Sequence, residues 1–237
     1  MPIRQHTDFK KDKVEFGHIG ERDLARILLR SEKTGRVLNL CGDSRFFGLD
    51  IDLIQIRKGQ EMTIGHILED YKKPTDHRPF VMYEVKTDTC ALTTRNIAYE
   101  LMSNGNEGCM IRSAADWFYY IFLDGDKNIR ERYLINRMKL NKWLMGHFHL
   151  INSVPWLQSK YMDREKDQTA LLLINIEKLI SENIARVIRP QDSGLLRSRS
   201  GDTSASGPAV AVPAEAWRPA DSRPAGECPA RPAPAAV

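Results

Sequence analysis

The stretch Phe80-Val-Met-Tyr-Glu-Val-Lys-Thr-Asp88 constrains the chain most. Phe80 to Tyr83 form an apolar run of the kind found in buried strands, and a carboxylate and an ammonium follow at Glu84 and Lys86. Side chains alternate across a strand, so Glu84 and Lys86 share a face with Met82, while Tyr83 and Val85 take the other. Opposite charges on an apolar strand face are costly unless they pair with each other or hold a metal ion. Upstream, Leu49-Asp-Ile-Asp-Leu-Ile-Gln-Ile56 repeats the pattern, with Asp50, Asp52 and Ile54 on one face of a hydrophobic strand. Two neighbouring strands carrying Asp and then Glu-x-Lys can build one metal site. The competing reading is an internal acid–lysine pair that only sets strand register.

At these residues the chain resembles the PD-(D/E)xK nuclease superfamily. Asp52, or Asp50, looks like the family's first acid, and Glu84-Val85-Lys86 looks like its E-x-K. The likeness continues through Thr87-Asp88, Asn96-Ile-Ala-Tyr-Glu100 and Ala114-Ala-Asp-Trp-Phe-Tyr-Tyr-Ile-Phe122. That last run is similar to the Ala-Asp-Tyr-Tyr strand of small phage-type and bacterial members, and the match spans roughly residues 15 to 188. The family's proline is absent, with Leu49 or Ile51 before the candidate acid, so the choice between Asp50 and Asp52 stays open.

The resemblance implies an α/β fold with a restriction-endonuclease-like core: a mixed central β-sheet flanked by helices on both faces. It also implies a Mg²⁺-dependent (or Mn²⁺-dependent) nuclease that hydrolyses phosphodiester bonds in duplex or branched DNA, and it allows a homodimer. Mg²⁺ favours oxygen ligands, one or two carboxylates with waters and substrate phosphate. Asp52 and Glu84 fit that set, with Asp50 and the Val85 carbonyl as further candidates. Lys86, on the same face, would orient the attacking water. Glu21 and Glu100 are candidates for holding a second ion; for Glu21 the simpler role is to complement a helix dipole. The alternative function is a non-catalytic DNA-binding or assembly module with the same fold.

Composition bounds these readings. The chain has 237 residues, 35 Lys and Arg against 31 Asp and Glu, and a net charge of +4, which permits nucleic-acid binding without requiring it. Lys10, Lys11 and Lys13 form a basic arm, and Arg130, Arg132, Arg137, Lys139 and Lys142 a second basic group; either can be solvated surface. Cys41, Cys90, Cys109 and Cys228 show no metal or redox spacing, and no apolar run is long enough to span a membrane. The expectation is a cytoplasmic protein with reduced thiols.

Along the chain, Gly20 to Arg30 predicts a helix with Leu24, Ala25, Leu28 and Leu29 on one face. Strands are predicted over 36–41, 49–56, 80–88, 96–101, 117–123 and 170–176, and helices over 64–71, 137–146 and 177–188. Ser113 to Asp116 reads as one helical turn. Between the two acidic strands, residues 57 to 79 form an insertion in which Lys72, Lys73, His77 and Arg78 suit phosphate, or simply line a surface excursion. The His147-x-His149 pair lacks a third ligand and reads as packed or surface histidines.

The folded domain is expected over 14–189 and a disordered Ala/Pro-rich tail over 190–237. From Gln191 onward there are 11 Ala and 7 Pro in 47 residues and no Lys, a composition that cannot bury enough surface to offset its ordering entropy. Deleting residues 191 to 237 should therefore leave the thermal midpoint unchanged. A fall of several degrees on truncation would place part of the core in that segment.

Overall fold

The computed structural model describes residues 9–164 and 167–189, all within one compact unit, Met1–Leu196. The expected disordered tail, 190–237, lies outside the described residues. In chain order the elements are α1 (Phe9–Leu29), β1 (Thr34–Asn39), β2 (Leu53–Arg57), α2 (Ile64–Asp70), β3 (Phe80–Asp88) and α3 (Ala91–Thr94). Then follow β4 (Asn96–Ser103), β5 (Asn106–Glu107), α4 (Cys109–Arg112), β6 (Trp117–Leu123), β7 (Ile129–Asn136) and α5 (Arg137–His147). The last are β8 (Leu157–Arg164), β9 (Asp167–Asn175), α6 (Ile176–Ser181) and β10 (Ala185–Val187).

Two sheets result. The first has the order β1-β2-β3-β6-β7-β10 and is mixed: β3 and β6 run parallel, and the other neighbours antiparallel. The second, β5-β4-β9-β8, is antiparallel throughout. Tyr83, Val85, Tyr119, Ile121 and Leu134 on one face of the first sheet pack against Leu24, Ala25 and Leu28 of α1. Phe118, Tyr120, Phe122 and Ile135 on the opposite face pack against Ile97, Tyr99, Leu172 and Ile174 of the second sheet, with Leu140 and Leu144 of α5. A third cluster joins Ile54, Ile56, Phe80 and Met82 to Ile67 of α2.

The fold class is therefore α/β with a mixed sheet, as expected, but helices do not cover both faces. One face carries α1, and the other is covered largely by a second sheet. The reason is visible in β4 and β9, whose Ile97, Tyr99, Leu172 and Ile174 give them an apolar face to bury. Other boundaries also shift. The one-turn helix predicted at Ser113–Asp116 is displaced to Cys109–Arg112. The helix predicted over 177–188 stops at Ser181. Asn183 then takes a left-handed conformation (φ 55°), and the chain re-enters the first sheet as β10.

Helix α1 is held on the sheet in two ways. Asp23 accepts from Tyr119 Oη at 2.5 Å and from Arg132 Nε at 2.8 Å. Gly20 allows the close approach, since a Cβ there would lie 2.6 Å from Val85 Cγ1. Arg132 is thus committed to an internal pair, and Arg130 pairs with Asp124 at 2.6 Å. Arg137 donates to the Ala115 carbonyl and Lys139 to that of Asn183. The second basic group is therefore largely dispersed into internal bonds. The side chains of Lys10, Lys11 and Lys13 lie outside the described residues. Among the described residues no helix is long and apolar enough to cross a membrane, and no disulfide joins Cys41, Cys90 and Cys109.

Helix propensity alone favours Ala over Gly by about 1 kcal/mol, so a loss of stability in Gly20→Ala would report the steric approach directly. We expect a loss of about 1–3 kcal/mol by denaturant titration, the usual range for overpacking. Adding Val85→Ala should make the double variant more stable than the sum of the single losses. Simple additivity would show that the approach to Val85 is not the cause.

Candidate functional site

Strand β3 changes partners at Tyr83. Its first half pairs with β2, from Phe80↔Ile56 to Tyr83↔Leu53, and its second half pairs with β6, from Tyr83↔Trp117 to Asp88↔Phe122. Each half therefore has one edge without a strand partner, and an aspartate side chain fills each. On the first half, Asp116 Oδ2 accepts from Met82 N at 2.9 Å; on the second, Asp52 Oδ2 accepts from Val85 N at 2.7 Å. A strand residue points its N–H and C=O to the same side, so the Val85 carbonyl faces the Asp52 edge as well.

The two aspartates differ in how their charge is answered. Asp116 also accepts from Thr75 Oγ1 at 2.7 Å and from the buried Arg78 guanidinium, which stacks on the Phe80 ring. Arg78, expected to suit phosphate, is thus a structural partner with a 2% exposed side chain. Of the other basic residues in that insertion, Lys73 pairs with Asp70 at 2.5 Å, Lys72 lies over the Tyr71 ring, and His77 is exposed beside Asp76. Asp52 has no base within ion-pair reach among the described residues. Burial pushes its carboxyl up, against the Val85 N–H, the more distant Lys86 ammonium and the neighbouring Glu84 side chain, which lower it.

Glu84 and Lys86 lie on the face opposite Tyr83 and Val85, as alternation requires. Lys86 Nζ donates to Glu84 Oε1 at 2.6 Å, with Glu84 buried and the Lys86 side chain 26% exposed. Burial, reinforced by Asp52 and Asp50, pushes the Glu84 carboxyl up to about 8 despite that ammonium. Burial opposes the charge on Lys86 too, but the surrounding groups, Glu84 foremost with Cys109 and Asp52, together raise it above its ordinary range. Near neutral pH Glu84 and Asp52 are two neighbouring buried acids that cannot both be ionised cheaply.

The remaining candidates separate. Glu21, buried on α1, faces this cluster: its carboxyl is pushed up by burial and by the charge of Asp52, while His18 and Asn39 pull it down. Asp50 does not share a strand face with Asp52, because β2 begins only at Leu53 and Asp50 sits in a left-handed turn (φ 44°). An aspartate tolerates that conformation, and Arg112 Nη2 meets its carboxylate at 2.9 Å. Glu100 lies on β4 of the second sheet and accepts from Cys109 Sγ at 3.2 Å. Cys109 in turn feels Lys86, and burial pushes its thiol up to about 11, so it is a neutral link between the sheets. Gly108 permits this, since a Cβ there would lie 2.2 Å from the Glu100 carbonyl.

Sequence reasoning missed Asn39, Arg112 and Cys109, whose roles depend on non-local packing. Of the H-x-H pair, His147 is engaged by the Trp143 carbonyl and stacks on the Trp143 ring. The oxygen donors able to hold a hard divalent cation are Asp52, Glu84 and the Val85 carbonyl, with Glu21 nearby. No protein-family model, curated protein or solved structure matches the chain.

A carboxyl that titrates near 8 when folded but in the ordinary range when unfolded binds more protons in the folded state between those values. Its contribution to stability is full below the unfolded value and is lost as pH rises through about 8. Asp52 and Glu21 shift in the same direction. With chelator present, the thermal midpoint should fall between pH 5 and 8, and Glu84→Gln should flatten that slope. An equally steep slope in the variant would move the effect to other groups.

Proposed function

We propose that the chain is a divalent-metal-dependent nuclease that hydrolyses phosphodiester bonds in DNA. The observation that carries this reading is the contrast between the two aspartates on β3. Asp116 is neutralised by Arg78, whereas Asp52 neighbours a second acid, Glu84, and among the described residues has no base within ion-pair reach. A buried acid pair with too little positive charge suits a site whose cation arrives from solution. Asp52, Glu84 and the Val85 carbonyl would hold Mg²⁺ or Mn²⁺. Bound there, the ion would neutralise charge on the phosphate and lower the pKa of the attacking water.

The chain's own residues supply the rest. Lys86, on the same strand face as Glu84 and partly exposed, orients the water and stabilises charge developing on the phosphate. Asp52 keeps the strand edge open by capping Val85 N–H in place of a neighbouring strand. Glu21 on α1 is positioned to adjust the charge on Asp52 from the other side.

A second reading, a DNA-binding or assembly module without catalysis, draws on the Lys86–Glu84 bond at 2.6 Å, in which each group occupies the other. Incubating the purified chain with duplex and branched DNA in Mg²⁺ or Mn²⁺ separates the two. Glu84→Ala should abolish cleavage while leaving DNA binding nearly intact, and Lys86→Ala should lower the rate by about 100-fold or more with the melting temperature little changed. Tight binding without cleavage in either ion would favour the module. Neither binding nor cleavage would defeat both.

A further inference from the structure

His18, Glu21 and Cys41 bring three different ligand atoms, an imidazole nitrogen, a carboxylate oxygen and a thiol sulfur, within 4.8 Å of one another. His18 and Glu21 are three residues apart on α1 and so share one helix face. Cys41 comes from the turn after β1 and reaches them through Asn39. The Asn39 side chain accepts from Cys41 N at 2.8 Å and donates to Glu21 Oε2 at 3.5 Å, tying the turn to the helix. His18 Nδ1 already lies 3.4 Å from Glu21 Oε2. Two ligands on a tetrahedral zinc ion, with bonds of about 2.1 Å, are about 3.4 Å apart.

We infer that these three residues form a binding site for a borderline-soft divalent cation of the zinc class, distinct from the all-oxygen cluster at Asp52 and Glu84. The mixed nitrogen, oxygen and sulfur donor set selects zinc over Mg²⁺, which keeps to oxygen ligands and water. Three protein ligands leave one tetrahedral position to solvent, the coordination of an open rather than a closed structural site. His18 and Cys41 are exposed and Glu21 is buried, so the ion enters from solvent and seats on Glu21 at the inner end. Binding releases the Cys41 thiol proton to water. The site takes Glu21 as a ligand, so zinc there removes that carboxylate from the neighbourhood of Asp52. It does not require that the chain cleave DNA, because neither His18 nor Cys41 belongs to the proposed hydrolytic cluster.

Cobalt(II) titrated into the full chain in excess Mg²⁺ tests the site, because a thiolate ligand gives a near-ultraviolet charge-transfer band and tetrahedral coordination gives intense visible bands. One equivalent should develop both, and Zn²⁺ should displace it. Cys41→Ser should abolish the charge-transfer band, and His18→Ala should weaken binding by about 10-fold or more; both positions are exposed, so the variants should fold. Cys90→Ser and the double variant Asp52→Asn, Glu84→Gln should keep the bands. Absence of a charge-transfer band in the unmodified chain, or its survival in Cys41→Ser, would overturn the site. Loss of the bands only in the Asp52, Glu84 variant would assign the ion to the other cluster.

Discussion

The bond from Val85 N–H to the Asp52 carboxylate at 2.7 Å is the constraint on which the site depends. A central strand normally has both edges filled by neighbours, yet β3 is paired on both sides only at Tyr83. Buried backbone groups must find partners. The protein meets that demand twice with an aspartate, Asp116 on one side and Asp52 on the other. Each spares a stretch of neighbouring strand, and each brings a negative charge to the middle of a sheet. At Asp116 the fold provides an arginine; at Asp52, among the described residues, it provides none. At Asp52 the same device leaves a notch in the sheet, with Glu84 and Lys86 on the adjoining strand face.

How far this was legible in the sequence can be judged residue by residue. The alternation of Met82, Glu84 and Lys86 against Tyr83 and Val85 is local, and it is found as expected. The same argument applied to Asp50 and Asp52 fails because periodicity assumes extended backbone, and Asp50 turns left-handed. Aspartate is one of the few residues that make that turn cheaply, so its identity was the one local sign of it. Two strands, one in each sheet, were hidden for a different reason. Strands β7 and β8 carry charged residues among the apolar ones, Arg130, Glu131 and Arg132 in the first, where the arginines read as part of a basic group, and Lys160 in the second. Their partners across the sheet supply the burial that their own patterns do not advertise.

The charges around the notch do not balance by themselves. Glu21, Asp52 and Glu84 each have a carboxyl pushed upward by burial, and among the described residues Lys86 is the one ammonium held among them. Asp50 adds to the negative field, though Arg112 answers it directly. Near neutral pH a proton on Glu84, whose carboxyl is pushed up to about 8, fills part of the deficit. That is a poor arrangement for stability alone, since a well-packed apolar cluster would cost less. The contrast with Asp116 shows that the fold can neutralise a buried aspartate where it must.

Helix α1 couples this notch to the surface. Gly20 has no Cβ, so the helix lies close enough to touch Val85, the residue whose N–H Asp52 caps. Glu21, the next residue along, is buried as well. Its carboxylate feels Asp52 on the inner side and meets His18 and Asn39 on the outer side. Gly20 and the buried acid at 21 thus lie side by side on the packed part of α1. Any cation drawn to either side of Glu21 is felt on the other through the same carboxylate.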